Sequence, residues 1–242
     1  MALAQGLLDE VCGLSLGGIY MATQQVYSDM NVNGQLTATT LTPSASTITN
    51  AHCSSNMGLA RSKLAQDTLA CYPVPWTAFR VWDAYETSLP GTSSNDDLGL
   101  YGGTFASASP AIETYDVKGA GLKTFYARFM VSLPPEYDAA ETVQIRLHAG
   151  MLTNEADASA TVDIQCYESD KEAGISADLC TTAATTCNSL TLADIDFTIT
   201  STNLVAGDVL DVRIAMAITD AATGTAVQGI IGSVELLCDI RG

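Results

Sequence analysis

Six stretches in the C-terminal two-thirds of the chain alternate apolar residues with polar or small ones. In the clearest stretch, every second residue from Phe125 to Leu133 is apolar. Successive side chains of a strand point to opposite faces, so each stretch predicts a strand with one buried face. The six predicted strands span residues 125–133, 143–148, 162–166, 197–200, 210–218 and 234–241.

Turn-forming residues separate these strands. Pro134-Pro135 ends the first one, because proline cannot donate to a strand ladder, and Ala206-Gly207-Asp208 supplies a turn further on. Helical periodicity is absent after Trp76, and no repeat of fixed period indicates a propeller or a β-helix. The predicted fold is therefore all-β, a two-sheet antiparallel sandwich of jelly-roll type, with an immunoglobulin-like sandwich as the second choice.

Residues 1–75 differ in composition from the rest of the chain. They hold only four of the 27 acidic residues and two of the 10 basic ones, and they are rich in Thr, Ser and Ala. Such a stretch cannot bury a core by itself. It is therefore either a disordered tail or an arm that becomes ordered when it binds another chain. Disordered tails are usually rich in charge, so the composition favours the arm. The predicted division is an extended N-terminal arm, 1–75, followed by the sandwich, 76–242.

The formal charge of -17 narrows the possible partners. Nucleic-acid binding needs clustered Lys and Arg, which this chain lacks, and an acidic membrane surface would repel it. No apolar run approaches the length of a membrane span. The seven cysteines are odd in number and form no CxxC pair, which favours reduced thiols over a disulfide framework or a zinc site. We therefore expect neither nucleic acid nor membrane as a partner.

Catalytic and metal-binding patterns are also missing from the sequence. The two histidines, His52 and His148, fit no metal-binding spacing, and no phosphate-binding loop occurs. Several acidic pairs could offer oxygen ligands to calcium, but none follows the grammar of a calcium loop, and a solvated acidic face is the commoner explanation. These pairs are Asp96/Asp97, Glu155/Asp157, Glu168/Asp170 and Asp194/Asp196. The sequence predicts no enzyme, no metal and no cofactor.

Four aromatic residues recur at every third position where the predicted arm meets the sandwich. Trp76, Phe79, Trp82 and Tyr85 could stack on a sugar, as in carbohydrate-binding modules. Alternatively they plug one end of the sandwich or form a subunit contact, because large rings bury much area and are enriched at interfaces. The sequence favours the second interpretation.

Three stretches of the sandwich resemble the decoration, or cement, proteins of tailed bacteriophages. The stretches are Leu98–Phe105, Tyr126–Phe129 with Leu133–Tyr137, and Leu236–Gly242, and the resemblance covers roughly the last two-thirds of the chain. It implies a jelly-roll homotrimer on the outer capsid surface of the virion, with the major capsid protein as partner. It implies no catalytic residue.

Under this resemblance the arm is the part suited to grip the shell. Leu36, Leu41 and Ile48 are spaced along a Thr-rich segment that suits pairing with the edge of another chain's sheet. Together with Trp76, Phe79 and Trp82 they are the predicted capsid or subunit contacts. The alternative function is a jelly-roll glycan-binding module of a phage tail fibre or head fibre, marked by an exposed aromatic platform with polar neighbours. A polysaccharide lyase or glycosidase is disfavoured, because the chain has four lysines and two histidines.

Overall fold

The computed structural model describes residues 14–15, 18–19, 67–169, 174–221 and 224–241. The chain divides into two compact units, residues 1–58 and 59–242. In the first unit, β1 (Leu14–Ser15) and β2 (Gly18–Ile19) pair antiparallel. The predicted contacts Leu36, Leu41 and Ile48 lie outside the described residues.

The described part of the second unit contains ten strands and a single 3₁₀ turn at Trp76–Ala78. The strands are β3 (Asp67–Pro73), β4 (Gly99–Tyr101), β5 (Ala111–Glu113), β6 (Gly121–Ser132), β7 (Val143–Met151), β8 (Ser159–Ser169), β9 (Thr185–Thr186), β10 (Ala193–Thr198), β11 (Val209–Asp220) and β12 (Gly229–Arg241). The six strands predicted from alternation are confirmed as β6, β7, β8, β10, β11 and β12, whereas the other four were not predicted.

No helix in the described part of the chain is long and apolar enough to cross a membrane.

These strands form two antiparallel sheets. In the first sheet, β12 pairs with β7 on one side and with both β5 and β3 on the other, β10 lies outside β7, and β4 lies outside β5. The second sheet has the order β6-β11-β8-β9. With β4 and β5 set aside, β3-β12-β7-β10 and β6-β11-β8-β9 are the two four-stranded sheets of a jelly roll. The predicted jelly-roll sandwich is confirmed.

The core consists of the apolar positions of the alternating strands. On β6 the buried positions are Phe125, Ala127 and Phe129, and the residues between them are partly exposed. The same alternation runs along β8 and β11 of the second sheet and along β7 of the first. Burial of one face of each strand explains why alternation alone located the long strands.

Strand β3 comes from the segment that the sequence assigned to the arm. It pairs with β12 over seven residue pairs, with Cys71 opposite Leu237. Val74 follows it, is 6% exposed, and donates its backbone N–H to the Val234 carbonyl at 2.8 Å. The sandwich therefore includes Asp67–Pro73, which corrects the predicted boundary at residue 76. Strand β3 was not predicted, because its residues do not alternate between apolar and polar.

Candidate functional site

The four aromatic residues spaced by three do not share one exposed surface. Phe79 is 1% exposed, and its ring centroid lies 5.0 Å from that of Phe129 and 5.6 Å from that of Trp76. Phe79 is therefore a core residue and is not the capsid or subunit contact predicted for it. Trp76 is partly buried and packs against the same core from the 3₁₀ turn. Both rings help to close the sandwich at this point, as one of the two interpretations expected.

Trp82 lies half-buried on the outer face of the second sheet. Its ring centroid is 5.0 Å from that of Tyr126 on β6, and its Nε1–H donates to Asp96 Oδ2 at 3.2 Å. The guanidinium of Arg213 on β11 lies 5.2 Å from the Trp82 ring and 5.0 Å from the Tyr126 ring. These cation–π contacts attach the irregular segment before β4 to the sheet.

Tyr85 is engaged in the same way by a second arginine. The Arg128 guanidinium lies 5.0 Å from the Tyr85 ring centroid, and it makes a bidentate ion pair with Asp211, with Nε donating to Oδ1 at 2.7 Å. The hydrogen bond to Asp211 raises the pKa of Arg128. Because Trp82 and Tyr85 contact arginines of their own chain, this face is an internally satisfied cluster rather than an open aromatic platform.

The two carboxylates of the acidic pair Asp194/Asp196 also have hydrogen-bond partners within the chain. Arg146 on β7 donates from Nε to Asp196 Oδ1 at 2.7 Å and from Nη2 to Oδ2 at 3.0 Å. His148 Nδ1 lies 2.7 Å from Asp194 Oδ1. The hydrogen bond from Arg146 lowers the pKa of Asp196. Among the described residues, no group of three or more His, Cys, Asp and Glu is placed to hold a metal ion.

A cleft of about 390 Å3 opens beside β4 and β5, and we call it the Tyr101 cleft. Tyr101 is the last residue of β4 and is 44% exposed. Two aromatic rings and a majority of polar side chains line the cleft. The lining residues are Gly91, Thr92, Ser93, Gly99, Tyr101, Glu113, Thr114, Tyr115, Asp116 and Gln228.

One wall of the cleft is a loop packed directly on β4. A Cβ added to Gly99 would lie 2.2 Å from the backbone nitrogen of Ser93, so only glycine permits this close approach. Leu100 donates its N–H to the Pro90 carbonyl at 2.7 Å, and Ser93 Oγ donates to the Asp97 carbonyl at 2.5 Å. These bonds fix the wall next to Tyr101.

The opposite side of the cleft is held by a polar network. Gln228 Nε2 donates to the Thr114 carbonyl at 2.8 Å and to Glu113 Oε2 at 3.3 Å. Thr114 Oγ1 donates to the Tyr115 carbonyl at 3.0 Å and accepts from the Gly229 N–H at 3.0 Å. Burial raises the pKa of Glu113. The Tyr115 ring stands edge-on to Phe125 at 4.8 Å, which anchors it to the core.

The arrangement offers a ring face together with several polar groups in fixed positions. It can place a flat apolar surface against a ligand while oxygen atoms at its side accept hydrogen bonds from hydroxyl groups. The cleft was not predicted, because β4 and β5 have only three residues each, which is too few to show an alternating pattern. In the sequence, Tyr101 belongs to the stretch Leu98–Phe105, whose only signal is its resemblance to decoration proteins.

No protein-family model matches this chain, and no curated protein matches it. Several solved carbohydrate-binding modules are similar to it in structure. The xylan-binding module CBM15 is 15% identical over 72% of this chain and 100% of its own, with a TM-score of 0.38. The CBM22-1 xylan-binding domain from Paenibacillus barcinonensis Xyn10C is 9% identical over 73% and 97%, with a TM-score of 0.36. TmCBM61 in complex with β-1,4-galactotriose is 12% identical over 55% and 73%, with a TM-score of 0.32. Likenesses this distant carry no function across.

Proposed function

We propose that this protein is a non-catalytic glycan-binding module and that the Tyr101 cleft is its binding site. The observation that carries the proposal is the exposed Tyr101 ring beside a fixed set of polar side chains. Glu113, Thr114 and Gln228 are members of that set, and the exposed Asp116 also lines the cleft. This is the second of the two functions expected from the sequence, at a different site from the predicted aromatic cluster.

A sugar ring presents an apolar C–H face and a rim of hydroxyl groups, and the cleft has groups for both. An aromatic ring with a polar tip suits such a ligand, because it packs against the apolar face while its hydroxyl stays hydrated. The cleft volume of about 390 Å3 lies within the range usual for small-ligand sites. Because Gln228 and Ser93 are already hydrogen-bonded within the protein, their side chains lose little conformational entropy when a ligand binds.

Binding without catalysis is part of the proposal. None of the described residues that line the cleft is His, Cys or Lys. Glu113 accepts a hydrogen bond from Gln228, so this carboxylate helps to hold the Gln228 side chain in place. The serine of the lining, Ser93, donates to a backbone carbonyl rather than to a base. These groups therefore support a recognition site.

The test is a binding panel of soluble β-1,4-linked gluco-, xylo- and galacto-oligosaccharides, measured by isothermal titration calorimetry. Tyr101→Ala should weaken binding of the best ligand about tenfold or more, because it removes the stacking ring. Tyr101→Phe should retain most of the affinity. Leu152→Ala is a matched control, since Leu152 is also 44% exposed but does not line the cleft.

Two outcomes would contradict the proposal. One is that no glycan in the panel, extended to a glycan array, binds the full-length protein. The other is that Tyr101→Ala and Leu152→Ala bind a glycan equally well, which would place the site elsewhere.

A second candidate is the capsid decoration protein that the resemblance implies. We propose it as a homotrimer on the outer surface of a phage shell, bound to the major capsid protein. It is supported by the position of β3, which pairs with β12 and directly follows residues 1–66 along the chain. That N-terminal segment enters the sandwich through a strand whose second edge has no partner among the described strands.

Capsids stripped of this protein test the second candidate. The full-length chain should rebind, and a chain lacking residues 1–66 should bind much more weakly. Equal binding of the two would move the contact onto the sandwich. Failure of both to bind would remove the candidate.

A further inference from the structure

The Tyr101 cleft is lined by negative charge without a compensating cation. Glu113 and Asp116 both line it, and none of the described lining residues is Lys, Arg or His. Elsewhere in the sandwich, Arg146 pairs with Asp196 and Arg128 with Asp211. The two carboxylates of the cleft have no such cation in the lining.

Three of the cleft's side-chain hydrogen-bond donors, Ser93, Thr114 and Gln228, already donate within the protein. The Gln228 amide nitrogen donates to two groups of the cleft itself, the Thr114 carbonyl and Glu113 Oε2. Thr114 Oγ1 and Ser93 Oγ each donate to a backbone carbonyl. The groups left for a ligand are the hydroxyls of Thr92, Tyr101 and Tyr115, which can donate or accept, and the carboxylates of Glu113 and Asp116, which when ionised only accept.

A negatively charged lining discriminates between sugars by their charge. Hydroxyl groups can donate to carboxylates, and such charge-assisted bonds are the stronger kind. An ionised carboxylate on the sugar can only accept hydrogen bonds, and it would meet like charge at short range. Because Asp116 is exposed to solvent, dissolved salt can reduce this repulsion. The penalty falls on the ligand, because no cation in the lining can neutralise it.

From this we infer that the cleft selects uncharged glycans and excludes those that carry carboxylate groups. The inference rests on the proposed glycan-binding function and names its ligand class. It predicts that oxidising the C6 hydroxyls of a bound oligosaccharide to carboxylates weakens binding at least about tenfold at low ionic strength. The ratio of the two dissociation constants should shrink in high salt, because screening reduces the repulsion.

The experiment compares cellotriose and β-1,4-galactotriose with their C6-oxidised forms by calorimetry on the full-length protein. The double variant Glu113→Gln/Asp116→Asn removes two charges from the cleft with little change in shape. Its ratio of dissociation constants, oxidised over unoxidised, should fall toward one. The double variant Glu155→Gln/Asp157→Asn removes the same two charges from exposed positions outside the cleft and should keep the wild-type ratio.

The outcomes separate this inference from the function on which it rests. If oxidised and unoxidised sugars bind equally well, charge selection is wrong while glycan binding stands. Equal ratios for the two double variants would also refute it, since the selection would then come from the overall charge. If neither sugar form binds, nor any other glycan of the panel, the proposed function fails and the inference fails with it. A wild-type ratio that does not change with salt would refute charge selection without any variant.

Discussion

Two truncations test whether β3 belongs to the sandwich. A fragment of residues 67–242 keeps β3, whereas a fragment of residues 76–242 lacks it. In the shorter fragment, β12 loses β3 along one edge from Glu235 to Arg241, keeps β7 on its other edge, and loses the core contact of Val74. We expect the longer fragment to fold cooperatively and the shorter one to be much less stable.

The magnitude follows from what the nine residues contribute. Removal of the Val74 side chain alone costs about 1.5–3 kcal/mol of burial. The lost β3–β12 ladder adds about 0.5–1.5 kcal/mol for each hydrogen bond. Deleting 67–75 also removes the entropy cost of ordering them, so only part of the ladder counts. We therefore expect a loss of at least about 3 kcal/mol, against a typical domain stability of about 5–15 kcal/mol.

Thermal unfolding followed by far-ultraviolet circular dichroism measures this difference. For a domain of this size, about 3 kcal/mol corresponds to a Tm decrease of roughly 6–12 °C. Val74→Ala in the longer fragment is the control for the side chain alone and should show only part of the decrease. If the two truncated fragments have the same Tm, β3 does not stabilise the sandwich and the reasoning is refuted.

Three further predictions concern individual side chains. Asp211 is 6% exposed and paired with Arg128, so Asp211→Ala should lower the free energy of unfolding by about 2 kcal/mol or more. Asp196 belongs to an exposed pair, so Asp196→Ala should lower it by less than about 1 kcal/mol; urea titrations measure both values. Cys71 is exposed, whereas Cys238 is buried and its burial raises the pKa of its thiol to about 11. Alkylation of the folded protein followed by peptide mapping should therefore find label on Cys71 and none on Cys238. Equal labelling of the two cysteines would contradict the buried position of Cys238 on β12. Burial raises the pKa of Tyr137 from 10.0 to about 12. The contribution of the neutral Tyr137 side chain to stability should therefore be present below pH 10 and be lost as pH rises through about 12. In unfolding measured as a function of pH, Tyr137→Phe should lose less stability than the wild type over this range.

The long strands could be predicted because burial of one face produces an alternation of apolar and polar residues in the sequence. From Phe125 to Leu133 every second side chain must fit the core, so alternation there indicates both the strand and its inner face. The jelly-roll class followed from six such strands and the turns between them. The short strands β4, β5 and β9 have no such alternation, since two or three residues cannot show a period.

What the tertiary structure alone decided is which side chains meet. The sequence placed Trp82 beside other aromatic residues, but Arg213, which lies against its ring, is more than 100 positions away along the chain and reaches it only because β11 pairs with β6. The Tyr101 cleft likewise joins Glu113 to Gln228 across β5 and the start of β12. Local sequence determines how a strand buries its faces, whereas long-range strand pairing determines which residues become neighbours, and the candidate site depends on the second.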